Sequence, residues 1–132
     1  MRCARAAVLA AALALWAGAH AAAPAAAARR GEQVYARCAA CHALAFDRVG
    51  PHHCGLFGRK AGSVPGFDYS AAMKHAKIVW NETTLDDFLA DPMKAVPGTT
   101  MTYAGVPDAR DRRDLIAYLE QAGRSGACKG AR

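Results

Sequence analysis

The chain of 132 residues has no internal repeat, no composition shift that would mark a second domain, and no run alternating apolar and polar residues at the period of a strand. These absences exclude repeat arrays and sheet-based folds and leave one helical domain. Acidic residues are few, 11 against 17 lysines and arginines, and no charge of either sign falls between Ala6 and Ala28. The 5 cysteines do not form two Cys/His pairs at zinc-ligand spacing, since Cys54 and Cys128 are not such a pair. The one C-x-x-C lacks the βαβ surroundings of a thiol–disulfide exchange site.

What the N-terminus does have is a secretory signal pattern. Arg2 and Arg5 precede an uncharged apolar run over 6–18, followed by the small-residue triplets Ala19-His20-Ala21 and Ala23-Pro24-Ala25. This reads as a signal peptide over 1–23, cut between 21 and 28, with export to the periplasm. The competing reading is a retained anchor. It needs the span to continue through alanine, a weak membrane former, to Ala28. Cleavage removes Cys3 and two arginines and leaves 15 basic against 11 acidic side chains, a net charge of +4. Export separates the protein from nucleic acid. The basic excess suits docking on an acidic protein surface, and it serves solubility equally well.

The chemistry centres on Cys38-Ala39-Ala40-Cys41-His42, the C-x-x-C-H attachment signature of a c-type haem. Two thiols one turn apart can add to two vinyl groups on one porphyrin edge. The imidazole that follows can then ligate the iron. A helix beginning at Gly31 would deliver the motif, with Val34, Tyr35 and Cys38 facing inward. Residues 24–28 read as signal remainder or a loose terminus. The stretch 47–66, rich in glycine, proline and histidine, is too long and irregular for a compact fold unless it packs on a large prosthetic group. A short helix is expected over 70–76. Another follows from Thr83 with Leu85, Phe88 and Leu89 buried, stopped by Pro92. A second loop covers 93–107. A last helix spans 108–122, burying Leu115, Ile116, Tyr118 and Leu119, with Gly123 as its cap.

Beyond His42, a second axial ligand decides between electron transfer and chemistry at the iron. The thioether candidates are Met73, Met93 and Met101; the imidazole candidates are His52, His53 and His75. Met101 lies in a loop with no helix face to bury it, so plain core packing suits it least.

Several short motifs follow in one order: Cys38 to His42, Val49-Gly50-Pro51, Gly55-Leu56-Phe57-Gly58-Arg59-Lys60, Phe67-Asp68-Tyr69-Ser70 and Val79-Trp80-Asn81. Asp91-Pro92, Pro97-Gly98-Thr99 with Met101, and Asp114-Leu115-Ile116-Ala117-Tyr118-Leu119 complete the set. Together they resemble a class I cytochrome c of the bacterial cytochrome c2 and mitochondrial cytochrome c group, from Gly31 to about Ala122. The resemblance implies an all-α fold of helices and long loops around one covalent haem c, with a cytochrome domain over 29–123 and a tail over 124–132. It implies that Met101 is the distal ligand and that the Pro51 carbonyl holds the His42 N–H. Arg59, Tyr69 and Trp80 would bind the buried propionate, and Thr99 would hydrogen-bond near the propionates.

Some positions depart from the group's pattern. Met73 stands where relatives often carry an asparagine. Met93 and Thr100 replace lysines common at the haem edge, leaving Lys94, Lys60 and Lys74 as basic candidates. His52-His53-Cys54 replaces a stretch that usually reads Asn-Leu-His. In the class I fold the loop after the haem motif packs against the C-terminal helix. Cys54 and Cys128, left over in an oxidising compartment, are therefore expected to pair.

The implied function is that of a monomeric periplasmic electron carrier rather than an enzyme. Its partners would be a donor such as a quinol-oxidising complex or dehydrogenase and an acceptor such as an oxidase, reductase or photosynthetic reaction centre. The alternative is a haem sensor or peroxidase-like enzyme in which Met101 dissociates, with His53 and His75 expected at the surface.

Overall fold

The computed structural model describes residues 23–130, so the signal segment expected over 1–23 lies almost wholly outside them. Helix α1 covers 23–35 among the described residues. It is followed by α2 (Ala71–His75), α3 (Glu82–Ala90), α4 (Pro92–Ala95) and α5 (Ala109–Gly123), and by a closing 3-10 turn, Gly126–Cys128. The only sheet-type pairing among the described residues is an isolated antiparallel bridge between Lys60 and Val79. The architecture is all-α, as expected.

Helix α1 differs from the expectation at both ends. Residues 24–28 are helical rather than loose, and Ala28 is buried; alanine has the highest helix propensity of any residue. At the other end the regular helix stops at residue 35. The bonds tighten to i−3 partners, Arg37 N to Val34 O at 3.1 Å and Cys38 N to Tyr35 O at 2.8 Å. The C-x-x-C-H motif therefore sits in the turns after the helix, not within it.

Helices α1 and α5 cross with their backbones in contact. A Cβ on Gly31 would lie 1.9 Å from the Asp114 carbonyl oxygen and 2.7 Å from the Tyr118 Cβ, so only glycine permits this approach. Beside the crossing, Arg30 donates two bonds to the buried Asp114 carboxylate, at 2.6 and 3.0 Å.

The remaining helix ends follow from local chemistry. Asn81 and Thr84 cap α3 reciprocally, each side chain accepting from the other's backbone N–H at 3.0 and 2.9 Å. Pro92 does more than stop α3. Asp91 caps Lys94 N at 3.1 Å and Pro92 opens α4 at its first turn, so the loop expected over 93–107 begins with a helix. Asp108 accepts from Arg110 N and Asp111 N, both at 2.8 Å, to start α5. Gly123 is the last helical residue and Arg124 the cap. Leu115, Ile116 and Leu119 are buried, while Tyr118 is only partly so. They meet Leu85, Phe88 and Leu89 of α3, and fully enclosed Leu115 alone is worth about 2–5 kcal/mol by truncation to alanine.

Candidate functional site

A cavity of about 220 Å³ opens between the C-x-x-C-H turn, the loop after it, α3 and the segment 99–103. Cys38, Cys41, His42, Pro51, Arg59, Tyr69, Trp80, Thr99 and Met101 all line it. Residues 63 positions apart in the chain, from Cys38 to Met101, thus reach one space.

At one wall, the turn presents two free thiols, Cys38 partly buried and Cys41 exposed. Burial pushes the Cys38 thiol above its ordinary pKa, the opposite of what a redox-active thiolate needs. The His42 Nδ1 lies 2.7 Å from the Pro51 carbonyl oxygen, to which it donates. Burial lowers the His42 pKa, against the opposing pull of the Pro51 carbonyl. The ring is therefore neutral, with Nε2 carrying the free lone pair.

Gly50 makes this arrangement possible: a Cβ there would lie 2.2 Å from His42 Cε1 and 2.5 Å from Nε2. Its N–H donates to Cys41 O at 2.7 Å and its carbonyl accepts from Arg48 N at 2.9 Å, which locks the loop under the imidazole. Arg48 adds a bond from Nη1 to Ala39 O at 2.6 Å. Asp47 accepts from both His52 N and His52 Nδ1, at 2.8 and 2.7 Å.

Of the two histidines expected at the surface, His75 is exposed, with Nδ1 on the Ala71 carbonyl of its own helix. His53 is not. Its ring stacks on His42, centroids 4.4 Å apart and planes 22° off parallel, and its Nδ1 is 3.1 Å from the Tyr35 hydroxyl. Burial, and then the neighbouring His42, push its pKa down to about 3. A loop residue has no periodicity to betray its partner, and the replacement of Leu by His53 was the only signal.

Arg59 donates from Nη1 to Cys54 O at 2.9 Å and from Nη2 to His52 O at 2.8 Å. Its Nε is buried with no partner among the described residues. Tyr69 packs edge-on against Phe67, and Trp80 does the same against Phe88, which sits with Met73 on the cavity wall. At Met73, where relatives often carry an asparagine, that wall therefore presents a thioether beside a phenyl ring. Thr99 Oγ1 accepts from Met101 N at 3.2 Å, fixing the turn that carries the Met101 thioether. Lys60, Lys74 and Lys94 are exposed.

Cys54 and Cys128 form a disulfide, Cα atoms 5.3 Å apart and 74 residues apart in sequence. It joins the loop after the motif to the 3-10 turn beyond α5.

The donor set suits a haem. Two thiols and a lone-pair nitrogen stand at one wall, a thioether lines the same space, and the remainder is mostly apolar. The unpartnered Arg59 Nε supplies a buried donor of the kind a propionate needs.

Comparison with known proteins agrees with this geometry. The model of the family described as cytochrome c matches residues 28–123. The chain is 45% identical over 112 residues to a cytochrome c2 of Blastochloris viridis, covering 81% of this chain and 88% of that one. It is 44% identical over 98 residues to a cytochrome c of Sesamum indicum, covering 71% and 88%. Among solved structures, cytochrome cH from Methylobacterium extorquens superposes with a TM-score of 0.69 at 41% identity, covering 71% of this chain and 97% of that chain. By the family match over 28–123 and its identity to these relatives, the chain belongs to the cytochrome c family, as a class I c-type cytochrome that binds one haem c covalently and serves as a single-haem electron carrier.

Proposed function

We propose that this carrier works in the periplasm with His42 and Met101 as the axial ligands of its haem. As a monomer after signal cleavage, it takes one electron from a quinol-oxidising complex or dehydrogenase. It passes that electron to an oxidase, a reductase or a photosynthetic reaction centre. The observation that carries the ligand assignment is the Pro51 carbonyl at 2.7 Å from His42 Nδ1, which leaves Nε2 as the free nitrogen of a side chain lining the cavity shared with Met101.

The haem supplies reversible one-electron chemistry between ferric and ferrous iron. Cys38 and Cys41 anchor it. Pro51 would direct Nδ1 of the imidazole, Gly50 leaves room for its ring, and Thr99 holds the turn bearing Met101. His42 and Met101 would hold the iron from side chains already fixed by the fold, so that little would need to rearrange when the electron moves. Thioether ligation favours the reduced form relative to a second histidine. Arg59, Tyr69 and Trp80 would hold the buried haem propionate, the unpartnered Arg59 Nε being a donor for it. The peroxidase-like alternative needs an acid–base group beside the distal position, and His53 instead lies against His42.

Absorption spectroscopy of Met101→Ala tests the ligation. The haem should stay covalently attached, the weak long-wavelength band of thioether-ligated ferric iron should vanish, and the reduction potential should drop. Loss of that band in Met93→Ala and its survival in Met101→Ala would overturn the assignment.

A further inference from the structure

The imidazole of His42 is constrained by more than its bond to Pro51. The His53 ring lies against it at 4.4 Å between centroids and 22° between planes, close to parallel. His53 is in turn anchored. Its backbone N–H donates to Ala43 O and Leu44 O at 3.2 and 3.1 Å, and its Nδ1 is 3.1 Å from the Tyr35 hydroxyl. Tyr35 is a buried residue of the last turn of α1, and its ring packs against Tyr118 of α5 at 5.1 Å between centroids. A continuous chain of contacts therefore runs from the α1–α5 crossing through Tyr35 and His53 to His42. An aliphatic side chain at position 53 could fill the space. It could neither stack flat on an imidazole nor bond to Tyr35.

We infer that His53 is a positioning residue that sets the rotational angle of the His42 ring about its bond to the iron, with Tyr35 holding His53 in place. Pro51 fixes where Nδ1 points. A single hydrogen bond leaves the ring free to rock about the line from Nδ1 to Nε2, and a parallel ring against its face removes that freedom. The angle of an axial imidazole decides which iron d-orbitals its π-system overlaps. It thereby sets the splitting of the ferric d-levels and the distribution of unpaired spin over the porphyrin. The inference rests on His42 being an axial ligand.

The test uses the haem-loaded full-length protein and the variants His53→Leu, His53→Phe and Tyr35→Phe. Two readouts follow the ring angle rather than stability: the g-values of the frozen ferric protein by electron paramagnetic resonance, and the spread of the four haem-methyl proton shifts. His53→Leu should shift the largest g-value or split it into more than one species and reorder the methyl shifts. His53→Phe, which keeps a flat ring without the hydrogen bond, should retain most of the wild-type pattern. Tyr35→Phe should move both readouts in the same direction as His53→Leu and by less. Wild-type signals in both His53→Leu and Tyr35→Phe overturn the inference. If His53→Leu fails to take up haem, an unchanged spectrum in Tyr35→Phe overturns it alone. Failure of the ligation itself is visible separately, as a wild-type ferric protein without a low-spin signal or the thioether band.

Discussion

Gly50 lies so close to the His42 imidazole that a methyl group in place of its hydrogen would fall within 2.6 Å of three ring atoms. The loop 43–50 is therefore pressed onto the candidate axial ligand by its own backbone. Gly50→Ala should displace either the ring or the loop. We expect reduced haem incorporation, a shifted thioether band in what is incorporated, and a stability loss of about 1–3 kcal/mol from overpacking. Guanidinium titration of the haem-loaded variant, followed by circular dichroism, measures the last of these. A wild-type spectrum and midpoint would show that the loop yields at no cost.

The Cys54–Cys128 pair is checked by counting thiols. Denatured, unreduced protein carrying covalent haem should show no free thiol in its mature portion, and two per chain would dismiss the disulfide. Replacing both residues by serine should lower stability by about 2–4 kcal/mol, less where the haem already constrains the unfolded chain. The reduction potential should change little, since the pair does not line the haem cavity.

Acid stability is predicted through Asp114. Its bond to Arg30 is the largest of the effects that lower its pKa below the usual carboxylate range. A carboxylate depressed on folding contributes stability that is fully present above its unfolded pKa of about 3.9 and is lost as pH falls through the folded value. Asp114→Asn should therefore be less stable than wild type at pH 7, and the gap should close as pH drops below 4. Asp108, depressed by the N–H groups of Asp111 and Arg110, loses its contribution in the same direction. A gap between wild type and Asp114→Asn that stays constant from pH 7 to pH 3 would contradict the argument.

Docking is predicted to be electrostatic. Rates with a purified redox partner should fall as salt rises, because charges more than about 10 Å apart are screened at 0.1 M. Lys94→Gln should flatten the slope most among the exposed lysines. An unchanged slope in that variant would assign the contact to apolar side chains instead, among which Met93 and Val49 are 58% and 80% exposed.

How far the sequence revealed this site depended on the range of the interactions. The C-x-x-C-H motif was legible because its chemistry is contained in five neighbours, and α5 because Leu115, Ile116 and Leu119 recur at helical spacing. The start of α1 was not. Its alanines have the same composition as a signal remainder, and only docking against α5 distinguishes the two. Asp114 stands in a legible motif, but its structural role is not legible there, because its partner Arg30 lies 84 residues away. The burial of His53 is hidden for a related reason: a histidine in an irregular loop looks solvent-facing until the fold brings His42 and Tyr35 to it.

The disulfide also has a topological consequence. It closes a ring from Cys54 to Cys128 that contains α2 to α5, while α1 and the candidate haem-binding thiols of Cys38 and Cys41 remain outside on a single N-terminal limb. That limb meets α5 at the backbone crossing of Gly31, the Arg30–Asp114 bond, the Arg37–Asp111 ion pair and the Tyr35–Tyr118 ring contact. Before the porphyrin is attached, the limb is held to the ring only by non-covalent contacts. Its amides should then exchange with deuterium well before those of α5, and the two rates should converge once the thioether bonds tie limb and ring to the same macrocycle.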